Sequence, residues 1–425
     1  QETAIGNTRA QQLLSNMNCQ PPSRSSMQRT SNKVSDKLVE LNQDDMADKL
    51  KIVKAVNRKR GAPENEINLT VDVRYSSNTI TSKKKPGQNA NQACAVGIET
   101  VTDRKYIVAT ASLNQMCWTG AWLRSKGFTI ECPNGHEECT ADLHRAAPLS
   151  EYDLGKQIGN QLAVQGILVK YATTDGDGRS ANGINDAIQA LHPMWKVERL
   201  ADPIHLGNGQ FRAAMRANFS DSMFGCRTKE QKKIVQKLFS QDIKARSSLI
   251  TSHLMEVYGR DIQKISEDLP KAFEATMRCY DGDCSMCSTN SIVCAGAETK
   301  NWWNRSIFLS SYQITRLQMN ENDKHLLFEI LKMKLSINAL DSMKLYDNTN
   351  KNEATHRAIS ANLPKNVYFS RNMKGRLAAT VHRSNNSPGT STKMKCHRLG
   401  IELSDRTNAF LDSTDRECTY QKEYQ

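Results

Sequence analysis

The sequence has no apolar run near the ~18–20 residues that a membrane span requires, which removes a helical membrane protein from consideration. Its opening, QETAIGNTRAQQLL, lacks the basic-then-apolar layout of a secretory leader. The chain does not start with Met, so it is compatible with a fragment, and a lost leader stays open. It contains no internal repeat, which sets aside stacked-repeat architectures.

What is present is length and positive charge. At 425 residues the chain can form two or three domains with a sizeable core. Hydrophobic residues are 38% and charged residues 24%, in keeping with a folded chain that carries polar segments. The 58 Lys and Arg against 45 Asp and Glu leave a formal net charge of +13. That excess favours a polyanionic partner such as nucleic acid over an ordinary basic surface. The clustering of the 12 cysteines favours metal binding over disulfides or scattered free thiols.

Residues 1–62 read as a helical, basic N-terminal arm: two helices around Pro21-Pro22, closed by Arg58, Lys59 and Arg60. The pair is either a weak helix-turn-helix or a solvated arm. In INLTVDVRY, Ile67, Leu69, Val71 and Val73 alternate with Asn68, Thr70, Asp72 and Arg74, the period of a half-buried strand. QACAVGIET and KYIVATASL follow as antiparallel neighbours. A Cys-rich interruption at 114–145 comes next. Ser150 and Asp153 then form a capping-box pattern for a helix over about 151–164. GILVKYA is a strand, GINDAIQAL a helix and WKVERLA a short strand. The order β-β-β-α-β-α-β predicts a mixed sheet flanked by helices over 63–210. Residues 211–348 read as a mainly helical insertion with a Cys cluster at 279–294. Residues 349–383 supply a last helix and strand of the core, and 384–425 form a loosely ordered polar tail.

The chemistry starts at carboxylates. In this element order the first and fourth strands are commonly adjacent, so Asp72 and Asp175, at the end of the fourth, can face one another. Close carboxylates repel, and a divalent cation with a preference for hard oxygen ligands, Mg²⁺ or Mn²⁺, relieves that cost. Two such ions can activate water and stabilise the leaving oxygen of a phosphodiester. The competing reading of TTDGDG is an everyday Asp-Gly turn.

Cys117, Cys132, His136 and Cys139 supply a tetrahedral Zn²⁺ set, with His144 as a spare. Cys279, Cys284, Cys287 and Cys294, in CYDGDCSMCSTNSIVC, form a second knuckle that leaves no position open for chemistry. A redox pair fits this context poorly. Trp302-Trp303 either seal a helical core or stack on a base. Lys83, Lys84, Lys85, Arg58, Lys59, Arg60, Arg371, Lys374 and Arg376 are candidates for phosphate contacts.

VDVRY, TTDGDGRSANGI, ADPIHLG and TNKNEATHRAISANLPKNVYFSR, in this order, resemble the Mutator-like DDE transposases, in particular their animal branch. The resemblance runs from about Asn68 to Arg383. It implies an RNase H-like core interrupted by a helical insertion, with small Cys/His modules. Three acids would hold two Mg²⁺ ions, supporting attack first by water at a transposon end and then by the freed 3′-hydroxyl on target DNA. By motif position Asp72 matches the first acid, Asp175 the second, with Asp177 its rival, and Glu353 the third. Read alone, Glu353 is a surface charge near a helix N-terminus. Asp202 and His205 resemble the family's Cys/Asp-x-x-His motif, where the His either touches the scissile phosphate or caps a turn. The resemblance further implies double-stranded DNA as partner (terminal inverted repeats and target), a homo-oligomer and action in the nucleus. The alternatives are a domesticated, non-catalytic DNA-binding protein and an RNase H-like nuclease.

Overall fold

A computed structural model of the chain describes residues 6–76, 90–175, 178–226, 228–259, 261–283, 285–287 and 317–423. Two compact units divide it, one made of residues 1–199 and 349–425, the other of Leu200–Asn348.

In the first unit, α1 (Asn7–Asn16) and α2 (Arg24–Lys59) precede a meander of β1 (Glu66–Tyr75), β2 (Gln92–Glu99) and β3 (Ile107–Asn114). The short α3 (Trp118–Ser125) leads to α4 (Glu151–Val164), β4 (Leu168–Thr174) and α5 (Arg179–Gln189), and the last strand, β5 (Glu198–Ala201), runs through the unit boundary at residue 199. The strands lie in the order β3-β2-β1-β4-β5. β1 is antiparallel to β2 and parallel to β4, so the sheet is mixed. The Ser150 side chain caps α4, accepting from the backbone N–H of Asp153 at 3.3 Å.

One face of the sheet buries Ile67, Leu69 and Val71 against Leu154 and Ile158 of α4 and Ile184 and Ile188 of α5. α4 and α5 pack so closely that a Cβ at Gly183 would run into the backbone of Tyr152. The chain returns to this unit after residue 348 as α11 (Asn350–Asn362), α12 (Met373–Asn385), α13 (Pro388–Arg398) and α14 (Asp405–Glu423). Ile359 of α11, Leu363 at its C-terminal end, and Leu377 and Val381 of α12 cover Cys94, Val96, Ile98 and Ile107 on the opposite face. β1 is therefore covered on both faces, not half-buried: Thr70 and Arg74, on the polar side of its alternation, are also buried.

Three expectations change. α2 is not a solvated arm, nor a short recognition helix. It buries Leu38, Leu41, Met46, Leu50 and Val53, and its Asp45 accepts from Asn385 at 3.2 Å and Asn386 at 3.0 Å. The segment after α11 forms no strand. Side-chain donors take its carbonyls instead, Gln92 on Phe369 at 3.3 Å and Asn114 on Ser370 at 2.9 Å. The tail beyond Arg383 is helical, because Asp415 caps α13 by accepting from the backbone N–H and hydroxyl of Thr390, each at 2.8 Å.

In the second unit, α6 (Pro203–Arg216), α7 (Lys229–Val257), α8 (Ile262–Tyr280), α9 (Glu321–Leu335) and α10 (Ile337–Ser342) surround Phe219, Phe224 and Phe239, whose rings meet edge-on at 5.5–6.0 Å. The unit begins at Leu200, ahead of the composition break at residue 211, because α6 belongs to these helices. Gln210 donates to Ser247 of α7 at 2.9 Å and to the Ile330 carbonyl of α9 at 3.1 Å.

Candidate active site and metal centre

Strand register decides where Asp72 and Asp175 lie. β1 and β4 run side by side with Asn68 opposite Tyr171 and Thr70 opposite Thr173. The pairing ends there: Asp72 lies two residues beyond Thr70 on β1, and Asp175 lies two residues beyond Thr173, just past the end of β4. Asp175 is exposed at the strand end. The turn then passes through Gly178 at φ +69°, where a Cβ would strike the Arg199 guanidinium. Asp177 lies outside the described residues.

α11 is fixed over this face of β1 by three polar rungs. Thr70 Oγ1 donates to Asn352 Oδ1 at 2.7 Å, and Asn352 Nδ2 donates to the carbonyls of Thr70 at 3.2 Å and Val96 at 3.1 Å. Asp72 Oδ2 lies 3.3 Å from His356 Nδ1. Arg74 donates through Nε to Ser360 Oγ at 3.0 Å and through Nη2 to the Leu363 carbonyl. The spacing works because two strand residues advance about 6.7 Å and four helical residues advance about 6 Å. Glu353 follows Asn352 directly, so the same anchor sets its position; its side chain is exposed. Sequence reasoning missed Asn352, His356 and Ser360 as partners of β1. Their signal is a match of i, i+4, i+8 on the helix to i, i+2, i+4 on the strand.

Asp202, in the second unit, is buried and caps α6, accepting from the Ile204 N–H at 2.6 Å. His205 is half-buried in the first turn of that helix.

Cys117, Cys132, His136 and Cys139 converge, with one ligand atom from each lying within 4.8 Å of the others. His136 Nε2 stands 3.3 Å from Cys117 Sγ and 3.5 Å from Cys132 Sγ. Tetrahedral Zn²⁺ with its usual bond lengths asks for an N···S separation of about 3.5 Å. The donor set and the spacing therefore fit zinc, and all four positions are taken by the protein. Cys117 also caps α3, accepting from Gly120 N–H at 3.4 Å. The module is stapled to the end of β3: Asn114 donates to the Thr140 carbonyl at 2.8 Å and accepts the Asp142 N–H on its own carbonyl at 2.7 Å. Burial pushes the Cys117 thiol up. The backbone N–H groups of Thr140 and Gly120 and the Thr140 hydroxyl outweigh it and bring the thiol down to about 6. Burial raises the Cys132 thiol, with Arg124 opposing. His144 is outside the quartet. Among the described residues no other group of His, Cys, Asp or Glu converges this tightly, so Asp72, Asp175 and Glu353 do not form such a group.

Cys279 is buried in the core of the second unit. The side chains of Cys284, Cys287 and Cys294, the pair Trp302-Trp303, and Lys83, Lys84 and Lys85 lie outside what the structure describes. The remaining basic candidates are mostly engaged. Arg58 pairs with both oxygens of Glu64, at 2.6 and 2.7 Å, and Arg60 donates to the Val101 carbonyl. Arg371 forks onto Asp36 at 3.0 and 2.8 Å, and Lys374 pairs with Asp142 at 2.8 Å. Arg376 is buried over the Phe369 ring at 4.1 Å, and burial lowers its pKa. It is a packing residue and not a phosphate contact. Lys59 is exposed. Among the described residues no helix is long and apolar enough to cross a membrane.

A family model described as Mutator-like transposase matches residues 1–294, more than half of the chain. No curated protein matches. A solved structure, the Drosophila P element transposase strand transfer complex, aligns over 90% of this chain and 89% of its own, with 13% identity and a TM-score of 0.31. Likeness at that score carries no argument.

Proposed function

Because the chain belongs to the Mutator-like transposase family, we propose that it cuts transposon ends and joins them to target DNA, using Asp72, Asp175 and Glu353 on an RNase H-like core. The observation that carries this reading is the double constraint on the acids. What supports it is that Asp72 lies on β1 and Asp175 follows the end of the neighbouring parallel strand β4, while Glu353 follows Asn352, which anchors α11 to β1.

The three acids offer oxygen donors only, which suits Mg²⁺ or Mn²⁺ over softer ions. A pair of such ions, when bound, supplies an activated attacking oxygen and stabilises the leaving one. The chain's own part is to hold the carboxylates, to orient the DNA and to let a phosphate approach. Gly178 lets the Arg199 guanidinium pack directly against the turn, where any Cβ would displace it. Asp177 is the reserve for the second acid, and His205 is carried as a phosphate contact. Zinc in the Cys117 quartet is structural, as its coordination is closed. A second zinc belongs to the Cys279–Cys294 segment. Lys59 and Lys83–Lys85 contact DNA phosphates. Work on two DNA ends calls for a homo-oligomer, and a chromosomal substrate places the protein in the nucleus.

The test is incubation with terminal-inverted-repeat DNA and Mg²⁺, reading both cleaved ends and joined products. Asp72→Ala, Asp175→Ala and Glu353→Ala each abolish both and leave DNA binding intact. Full activity in any of the three overturns the assignment of that acid. Nicks without joined products identify a nuclease, and binding without cleavage by the natural chain identifies a non-catalytic DNA-binding derivative.

A further inference from the structure

Both oxygens of Asp72 are already engaged by the chain. Oδ1 accepts the backbone N–H of Val73 at 2.8 Å, and Oδ2 faces His356 Nδ1 at 3.3 Å. A carboxylate oxygen has two lone pairs, so each of them keeps one for a further partner. The His356 side chain is only 13% exposed, and its Nε2 is buried with no hydrogen-bond partner among the described residues. A neutral imidazole carries one N–H. Placed on Nε2, that proton would be buried without an acceptor, while the Nδ1 lone pair faced the carboxylate. Placed on Nδ1, it meets Oδ2. The surroundings therefore select the Nδ1–H tautomer.

The ring is held in turn by its helix. Asn352, one turn earlier, is locked to Thr70 and Val96. Ser360, one turn later, donates to the His356 carbonyl at 2.7 Å and accepts from Arg74 at 3.0 Å. His356 is the middle rung, and Asp72 has no freedom to rotate without breaking it.

We infer that His356 is the positioning residue of Asp72: its Nδ1–H fixes the carboxylate so that the remaining lone pairs are offered to a divalent cation in one orientation. This rests on the reading of Asp72 as a metal-holding acid. Groups that orient metal ligands in this way characteristically change metal affinity about 10–100-fold when removed.

Three substitutions separate orientation from packing. Asn carries an amide N–H near the place of Nδ1, Gln carries one near the place of Nε2, and Ala carries none. The readouts are Mn²⁺ binding to the zinc-loaded chain without DNA, the Mn²⁺ concentration that half-saturates DNA cleavage, and the melting temperature. His356→Ala and His356→Gln are expected to weaken Mn²⁺ binding and raise the half-saturating concentration by about tenfold or more, with His356→Asn close to the natural chain. Equal Mn²⁺ dependence in all three, whatever the melting temperatures, overturns the inference. Asp72→Ala in the same panel separates the two levels. If it abolishes Mn²⁺-dependent cleavage while the His356 variants behave naturally, the role of His356 alone falls. If it leaves binding and cleavage untouched, the metal reading of Asp72 falls and the inference with it.

Discussion

Thr70 and Asn352, 282 positions apart in the chain, are hydrogen-bonded in both directions, hydroxyl to amide oxygen and amide nitrogen to carbonyl. Both are buried. The pair closes the first unit across the whole excursion of residues 200–348, and it does so one residue before Glu353.

Asn352→Ala is therefore expected to act twice. It removes the 2.7 Å acceptor of the buried Thr70 hydroxyl, leaving the Ile98 carbonyl at 3.4 Å, and takes the donor from the Thr70 and Val96 carbonyls, a loss of about 2 kcal/mol, which lowers the melting temperature by roughly 4–8 °C for a unit of this size. It also frees the first turn of α11, so DNA cleavage falls further than the stability loss accounts for at temperatures well below melting. Thermal unfolding and cleavage at 25 °C check the two effects separately.

Much of this arrangement follows from the sequence by simple rules, and what does not has a physical reason. The alternation of INLTVDVRY announces a strand, and the element order puts it beside GILVKYA. The C-x3-H-x2-C spacing around His136 is local and so can be read from one segment. The second buried face of β1 was hidden because its cover is polar. Asn352, His356 and Ser360 look like a solvated helix surface until Thr70, Asp72 and Arg74 are set against them. The helix at 388–398 was hidden by Ser, Asn and Gly around Pro388, although Ser387-Pro388 is itself a helix-start signal. Its cap, Asp415, comes from the next helix and no local pattern reveals it.

The zinc quartet predicts a stoichiometric loss. Cys132→Ser should release one equivalent of zinc per chain relative to the natural protein, read by a colorimetric chelator after unfolding. Since Cys117 also caps α3, the same change should alter the near-ultraviolet dichroism of Trp118 and Trp122, both exposed on that helix. Proton competition sets the direction with pH. Thiolates are the ligands, and burial holds the Cys132 thiol up, so binding at neutral pH releases protons, that of Cys132 among them. Zinc affinity should fall as pH falls. Retention of full zinc in Cys132→Ser, or affinity that rises on acidification, contradicts the quartet.

Basic residues that look alike in sequence should separate in salt titrations. Lys59→Ala is expected to reduce the slope of log binding constant against log salt by about one, as loss of a single phosphate contact does. Arg376→Met should leave the slope unchanged, because the guanidinium is buried over Phe369 and donates to the Asn362 carbonyl at 3.1 Å. Exchange of that buried cation for an apolar side chain of similar length is expected to be neutral or mildly stabilising. A reduced slope in Arg376→Met would show that the residue reaches DNA after all.

Lys334 gives the second unit a pH signature. Its ammonium is buried on α9, donates to Ser248 Oγ at 2.7 Å, and is brought down to about 8, from 10.5, by burial and then by Lys244, with Asp202 opposing. Between pH 8 and 10.5 the unfolded chain binds more protons at this site than the folded one. Stability from Lys334 therefore rises with pH across that window, and the full penalty stands below pH 8. Lys334→Met removes the penalty and loses one hydrogen bond. The net gain at pH 7 is on the order of 2 kcal/mol, taking about 1.4 kcal/mol for each pKa unit and subtracting about 1 for the bond. Urea unfolding followed at pH 7 and pH 10 should show a higher midpoint for Lys334→Met at pH 7 and a smaller difference at pH 10. A midpoint at pH 7 equal to or below that of the natural chain would mean that the buried ammonium is better solvated than its surroundings indicate.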